Sequence, residues 1–113
     1  MRLVLALVLV LVLAACAGGR RAGCGPRPLA VVNLAAVAVE QIFLGSGAPD
    51  GWEANLLGTA GLPGGASTIV TVPGSGAQAV RAVWSTGQAV ELRGIDACRI
   101  RRVTVLDAAL RAD

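Results

Sequence analysis

Histidine, lysine and tyrosine are all missing from this sequence, and its 113 residues include only one phenylalanine and two tryptophans. Histidine is the commonest general base and metal ligand near neutral pH. Lysine and tyrosine are among the other residues that move protons in active sites. A chain that lacks all three of these residue types has few side chains that could form a catalytic site. We therefore expect no enzymatic activity, no catalytic residue, no metal site and no cofactor.

Serines and carboxylates are the remaining candidates for catalysis. The four serines have no base beside them in the sequence. Two pairs of acids lie close together along the chain, Asp50 with Glu53 and Glu91 with Asp96. Glu91 has arginine-bearing neighbours in a predicted strand, where a solvated ion pair is the ordinary outcome. Neither pair predicts a catalytic site.

The chain begins with Met1-Arg2 and continues with an uninterrupted apolar run, Leu3–Ala15. A basic start, a short apolar stretch and small residues at its end are typical of a secretory signal peptide. A membrane-spanning helix needs about 20 residues, so this run is too short for a permanent anchor. We predict a signal peptide, in helical form, over residues 1–15.

The end of this stretch, Leu13-Ala14-Ala15-Cys16, resembles the lipobox of bacterial lipoproteins. In that class a diacylglyceryl group is attached to the cysteine thiol, and a peptidase cuts just before it. The resemblance implies that Cys16 is the lipidated first residue of the mature protein, with membrane lipid as its partner. Ala17 is not a recognised retention signal, which favours the outer membrane, facing the periplasm. The alternatives are an ordinary signal peptide cut near Ala15 or Ala17 and an uncleaved anchor.

Residues 17–28 contain four glycines, two prolines and three arginines, a composition that predicts a flexible tether. We assign residues 16–28 to the lipidated N-terminus and tether and residues 29–113 to one domain. Arginines cluster in the tether and again near residues 99–102. We interpret the tether cluster as solvated, with contact to anionic headgroups as the alternative. No nucleic-acid partner is expected, because the arginines lack interleaved aromatic residues and export removes that partner.

With Cys16 lipidated, two cysteines remain, Cys24 and Cys98. An even pair in an exported protein indicates a disulfide, which here would join the start of the domain to its end. In the chain-entropy model, closure of so long a loop contributes on the order of 4 kcal/mol to stability. Free thiols and pairing between chains are the alternatives, because Cys24 lies in a glycine-rich stretch.

Short stretches rich in β-branched residues alternate with turn signals along the domain. This pattern predicts an all-β fold, a small antiparallel β-sandwich or open barrel of about six strands. The clearest strand covers residues 67–72, and the clearest hairpin joins residues 78–84 to residues 88–93 through Gly87. The other predicted strands cover residues 29–34, 37–44 and 99–106. We expect the first two to pair as a hairpin that turns near residues 33–36, with a buried helix over residues 35–44 as the alternative.

A long loop, residues 45–58, carries Trp52 between two acids, Asp50 and Glu53. Loops on a rigid scaffold often carry function, so these three residues are the candidate binding site. The interpretation that we favour is that Trp52, Leu56 and Leu57 fold back as a lid over one end of the core. A helical turn is predicted over residues 52–58, with Asp50 as its N-cap. Trp84, in the predicted hairpin, is expected in the core.

Between Val31 and Val105 the chain carries five short elements in order: Val31-Val32-Asn33, Trp52 with Leu56-Leu57-Gly58, Pro63-Gly64, Arg81-Ala82-Val83 with Gly87, and Asp96-Ala97-Cys98-Arg99. In this layout the block resembles a family of small exported proteobacterial proteins without known activity. The resemblance implies a compact β-rich domain. In that family the cysteine before the last strand pairs with a cysteine near the position of Gly76, where this chain has none, so the resemblance leaves Cys24 as the partner of Cys98.

These patterns predict a membrane-anchored lipoprotein of the bacterial envelope, without catalytic activity. Its expected role is that of a structural or interaction module with an envelope protein as partner. The alternative is a binding module that uses the loop of residues 45–58 around Trp52 for a small ligand or a protein.

Overall fold

The computed structural model describes residues 23–113, so the predicted signal peptide and Cys16 lie outside the described residues. Within residues 23–113 the chain forms strands and turns and no helix. The strands are β1 (Arg27–Asn33), β2 (Val39–Gly45), β3 (Ser67–Val72), β4 (Ala79–Trp84), β5 (Ala89–Arg93), β6 (Arg102–Val105) and β7 (Leu110–Ala112).

The strands form two sheets, one in the order β3-β1-β6-β7 and one in the order β2-β4-β5. Buried side chains from both sheets meet in one core, among them Val31 and Val103 from the first sheet and Ile42 and Val80 from the second. The prediction of a small all-β sandwich is confirmed. The structure differs in having seven strands rather than about six, and in pairing β1 with β6 in parallel.

The predicted hairpin between the first two strands is wrong. β1 pairs with β3 and β6, whereas β2 pairs with β4 in the other sheet. The chain crosses between the sheets just after Asn33, whose buried side-chain amide donates to the carbonyl of Val37 at 2.9 Å. Leu29 and Val31 face the core from one sheet and Ile42 faces it from the other, so the two strands lie on opposite sides of the core. The alternative of a helix over residues 35–44 is also excluded.

Local sequence signals predicted the middle of the domain correctly. β3 has the predicted bounds, and β4 and β5 form the predicted hairpin. Gly87 takes a φ of 87° in the turn, a conformation that favours glycine, and its amide donates to the carbonyl of Trp84 at 2.9 Å. Trp84 is 4% exposed and belongs to the core, as expected.

Both ends of the domain differ from the prediction. β1 begins at Arg27, so the last residues assigned to the tether are part of the sheet. The predicted last strand is shorter, and the chain turns after it, with the amide of Leu106 donating to the carbonyl of Ala109 at 2.9 Å. It then adds β7, a three-residue strand that the sequence pattern did not predict.

Candidate functional site

Cys24 and Cys98 form a disulfide with a Cα–Cα distance of 5.7 Å. Their proximity follows from the topology, because β1 and β6 are parallel neighbours and each cysteine lies just before its strand. The amide of Cys24 donates to the carbonyl of Gly74 at 2.7 Å, and the amide of Cys98 donates to Oδ1 of Asp96 at 3.0 Å. The segment around Cys24 is therefore fixed to the domain, contrary to its assignment as tether.

The loop of residues 45–58 does not project from the domain. Residues 51–62, called the edge segment below, return along the edge of β2 that does not pair with β4. An edge strand exposes unpaired backbone groups that can recruit another chain, and the edge segment satisfies many of these groups on β2. The backbone bonds run from Glu53 N to Leu44 O (2.8 Å), Leu56 N to Ile42 O (2.8 Å), Leu62 N to Val39 O (2.8 Å) and Val39 N to Leu62 O (2.9 Å).

The side chain of Asn55 extends this ladder. Its Oδ1 accepts hydrogen bonds from the amides of Ile42 at 3.0 Å and Leu57 at 3.1 Å, and its Nδ2 donates to the carbonyl of Gly58 at 2.8 Å. The amides of Glu53 and Leu56 therefore bond to β2, and the amide of Leu57 bonds to the Asn55 side chain, instead of to carbonyls one helical turn earlier. The predicted helical turn, with Asp50 as its N-cap, is wrong for this reason.

Trp52 lies where the edge segment begins, and its side chain is half-buried. Its backbone bridges to Gly45, and a Cβ added at Gly45 would lie 2.8 Å from Cε3 of Trp52 and even closer to the carbonyl oxygen of Gly51. Glycine is therefore required at position 45 by close approach of the edge segment. Trp52 packs on the end of β2, whereas Leu56 and Leu57 of the predicted lid pack in and against the core.

The two acids of the loop lie in different surroundings. Glu53 is half-buried and accepts a hydrogen bond from Oγ of Ser75 at 2.5 Å. It lines a small polar groove with Ser46 and Gln78, but Asp50 and Trp52 do not line that groove. Asp50 is exposed at the tip of the loop. The structure thus does not bring the three predicted binding residues into one site.

The other candidate acids have structural partners. The Glu91 carboxylate lies between Arg81 at 3.3 Å and Arg93 at 2.8 Å, an exposed ion-pair cluster on the β4–β5 hairpin. Asp96 accepts the amide of Cys98 and pairs with Arg99 at 3.6 Å. These contacts are typical of surface ion pairs and turn caps, which contribute modestly to stability.

Within residues 23–113, four arginines without carboxylate partners lie on one sheet or at its ends, and the sequence pattern predicted this grouping only in part. Of the seven arginines in the described part of the chain, three are paired with carboxylates. The other four have no acid within 4 Å among residues 23–113, and all belong to the β3-β1-β6-β7 sheet or its immediate ends. They are Arg27, Arg101, Arg102 and Arg111. The clustering near residues 99–102 was visible in sequence, but the contribution of β7 required the sheet order.

An open cleft lies between the start of β2 and the edge segment. Its walls include the side chains of Glu40, Gln41, Asn55, Thr59 and Ser85. Nothing in the sequence pointed to it, because it is formed by segments that come together only when residues 55–63 fold along β2. It offers one carboxylate and several neutral polar groups.

Within residues 23–113, no three acidic or cysteine side chains lie close enough together to hold a metal ion. A search of the same residues for a helix long and apolar enough to cross a membrane finds none. Comparison of the chain with protein-family models, with curated proteins and with solved structures gives no match. The resemblance to a family of exported β-rich proteins therefore stays a prediction.

Proposed function

We propose that this chain is a lipid-anchored, non-catalytic interaction module of the bacterial envelope, attached to the membrane through Cys16. The observation that carries the proposal is the tetrapeptide Leu13-Ala14-Ala15-Cys16 at the end of an apolar run that begins just after Arg2. A thioether-linked lipid requires a thiol at this position, and small residues before it suit a peptidase that cuts there.

The disulfide between Cys24 and Cys98 supports export. Disulfides persist in oxidising compartments such as the periplasm and are rare in the reducing cytosol. The pairing also accounts for both remaining cysteines, so that Cys16 alone is left for lipidation. The outer membrane, facing the periplasm, is the proposed location.

An interaction role is supported by how the surface groups are used. Glu91 and Asp96 hold surface contacts, and Glu53 bonds to Ser75. The β2 edge is covered by the edge segment, which reduces unwanted strand pairing. A small sandwich on a lipid anchor offers rigid surfaces to an envelope partner and few reactive groups.

Mass spectrometry of the protein extracted from membranes tests the proposal. The expected mature chain begins at Cys16 and carries the mass of the attached acyl groups. The Cys16→Ser variant should lack that mass and leave the membrane fraction, because a serine cannot form the thioether.

Cys24→Ser is the matched control for this experiment. It removes a cysteine only eight positions later and should leave acylation unchanged. A wild-type protein that begins at another residue, or that begins at Cys16 without acyl groups, overturns the proposal.

A second candidate function is binding through the loop of residues 45–58. It is favoured by a fixed and exposed tip: Ala48, Pro49 and Asp50 are exposed, and the amide of Gly51 donates to the carbonyl of Ala48 at 3.0 Å. A preorganised loop loses little entropy on binding. Crosslinking in intact cells from position 48 tests it: an adduct lost in Asp50→Ala supports binding through the tip, and no adduct argues against it.

A further inference from the structure

We propose that the outer face of the β3-β1-β6-β7 sheet docks onto anionic phospholipid headgroups. The face consists of Arg102, Arg111 and Ile69 together with a groove between Arg27 and Arg101, and is called the basic face below. The proposal rests on the proposed function in one respect, because lipidation of Cys16 is what holds the basic face close to a bilayer.

Strand register determines which residues share this face. Val31 and Val103 are paired and buried in the core, so their neighbours in sequence point away from it. Arg102 is paired with Ala30, and Ala30 is also paired with Ile69 across β1 and β3. On the other side, Arg111 is paired with Thr104, two residues after Arg102. Arg102, Arg111 and Ile69 therefore project from the same side of one sheet.

Two further arginines lie beside this face at one end of the sheet. Arg27 and Arg101 line a groove with Pro28, Ala30 and Ile69. Arg27 is half-buried and held by a hydrogen bond from its Nη2 to the carbonyl of Ile100 at 3.0 Å. By strand alternation Arg27 lies on the same side of β1 as the buried Leu29 and Val31, so its guanidinium lies at the end of the sheet. Of the two arginines, the exposed Arg101 is the one that can adjust to a headgroup.

The charge of this face is not neutralised within the domain. Its four arginines have no carboxylate within 4 Å among the described residues. Asp113 lies beside the face, since its carbonyl oxygen accepts the amides of Arg101 at 2.7 Å and Arg102 at 2.9 Å. When the Asp113 carboxylate is counted against the four arginines, the basic face still carries a net positive charge. By contrast, Arg81 and Arg93 on the other sheet share Glu91.

An apolar residue stands among these charges. Ile69 is 73% exposed, the highest value among the large exposed hydrophobic residues of the described chain. Basic residues beside exposed apolar side chains are the combination found on surfaces that lie at a membrane interface. Guanidinium groups bind phosphate oxygens in a planar, bidentate manner. The pairing of Ile69 with arginines therefore favours a phospholipid surface over a soluble polyanion.

The anchor brings this face within range of the headgroups. Cys24 lies eight positions after Cys16, and a fully extended chain over eight positions spans at most about 29 Å. Cys24 enters the domain just before β1, at the end of the sheet that holds Arg27 and Arg101. Because electrostatic attraction fades over about 8 Å at physiological salt, a short connection is what allows it to act.

The test uses the lipidated protein reconstituted in vesicles, with a fluorophore on Ser67→Cys. Position 67 is exposed on β3 and is paired with Val32 on the outer side of the sheet. Quenching by headgroup-labelled lipid should be several-fold stronger in phosphatidylcholine vesicles containing phosphatidylglycerol than in phosphatidylcholine alone, and salt should reverse it. A fluorophore on Ala89→Cys, exposed on β5 of the other sheet, should show no such difference.

Two double variants that remove the same number of positive charges distinguish the effect of the basic face on docking from the effect of the protein's net charge. Arg102→Gln with Arg111→Gln should lower the ratio of docked to undocked protein about 25-fold, since each arginine near an anionic surface contributes about fivefold. Arg81→Gln with Arg93→Gln, on the other sheet, should lower it less than threefold. Equal effects of the two pairs, or equal quenching in both lipid compositions, overturn the docking proposal.

Failure of the anchor gives a different result. A protein without acyl groups washes from phosphatidylcholine vesicles, which overturns the proposed function and not the basic face. Flotation of the same protein with phosphatidylglycerol vesicles then tests the basic face. Loss of flotation in the variant that combines Arg102→Gln with Arg111→Gln supports docking through this face. Absence of flotation of the wild-type protein overturns it.

Discussion

The side-chain amide of Asn33 donates to the backbone carbonyl of Leu62 at 3.1 Å, across 29 positions of sequence. The same Nδ2 donates to the carbonyl of Val37 at 2.9 Å, and Oδ1 accepts the amide of Ala35 at 3.0 Å. Asn33 is fully buried. The side chain of Asn33 therefore joins two parts of the chain, the crossing between the two sheets and the end of the edge segment at Leu62.

Asn33→Ala should lower the free energy of unfolding by about 2–4 kcal/mol, because it removes two hydrogen bonds to backbone carbonyls and leaves the buried amide of Ala35 without its side-chain acceptor. Asn33→Asp should cost at least as much, since an ionised carboxylate cannot donate to the two carbonyls. Urea unfolding followed by circular dichroism measures both. Ser67→Ala, at an exposed position, is the control and should change stability by less than about 0.5 kcal/mol. A cost for Asn33→Ala no larger than that of the control would contradict this role.

Replacement of both Cys24 and Cys98 by alanine should lower the unfolding free energy by about 4 kcal/mol, because their disulfide closes a loop with a sequence separation of 74. Denaturant unfolding with and without reductant measures the effect. Reductant should bring the wild type to the stability of the variant and leave the variant unchanged. Coincident wild-type curves in both conditions would show that the disulfide does not stabilise the fold.

Gly45→Ala should weaken the edge segment, because the added Cβ would collide with the carbonyl oxygen of Gly51 and the ring of Trp52. We expect a stability loss of about 1–3 kcal/mol. Hydrogen exchange should accelerate at the amides of Glu53 and Leu56, which bond to β2. Ala48→Ser, at the exposed tip of the same loop, should leave both amides protected. Unchanged exchange in Gly45→Ala would mean that the segment is not held by this contact.

The two tryptophans should differ in what they contribute to stability. Trp84→Ala removes a core side chain and should cost about 3–5 kcal/mol. Trp52→Ala removes a half-buried one and should cost about 1–2 kcal/mol. Trp84→Phe should cost less than Trp84→Ala, because among the described residues the indole Nε1 is buried without a hydrogen-bond partner. Unfolding followed by the fluorescence of the remaining tryptophan measures each variant.

A Trp52→Ala protein as unstable as Trp84→Ala would place Trp52 in the core. A Trp52→Ala protein of unchanged stability that no longer captures its partner would instead support the binding loop. The predicted intermediate loss of unfolding free energy in Trp52→Ala distinguishes a packed lid from a core residue and from a binding residue.

Features encoded by neighbouring residues were predictable from the sequence. The β-branched run of β3 and the β4–β5 hairpin around Gly87 need only local propensity and turn geometry, and both were predicted correctly. The partners of β1 were not predicted, because strand pairing is decided by how the sheets pack across the core. β7 was missed because three residues carry too little periodicity.

The candidate site shows the same limit. Trp52 was recognised as unusual, but its half-burial depends on Gly45, seven positions earlier, and on backbone bonds to β2. The polar groove at Glu53 depends on Ser75, which no local pattern connects to it. The basic face combines arginines from β1, β6 and β7, and its composition follows only from the sheet order.

The bond between Cys24 and Cys98 also determines how the domain responds to mechanical load. A pull that reaches the domain from its N-terminal side enters at Cys24 and passes through the sulfur atoms to Cys98, ahead of β6. The force therefore divides between two parallel strands instead of peeling β1 away from its neighbours one hydrogen bond at a time. If the chain is held at a membrane by its N-terminus, as proposed, the covalent link carries the load directly into the sheet.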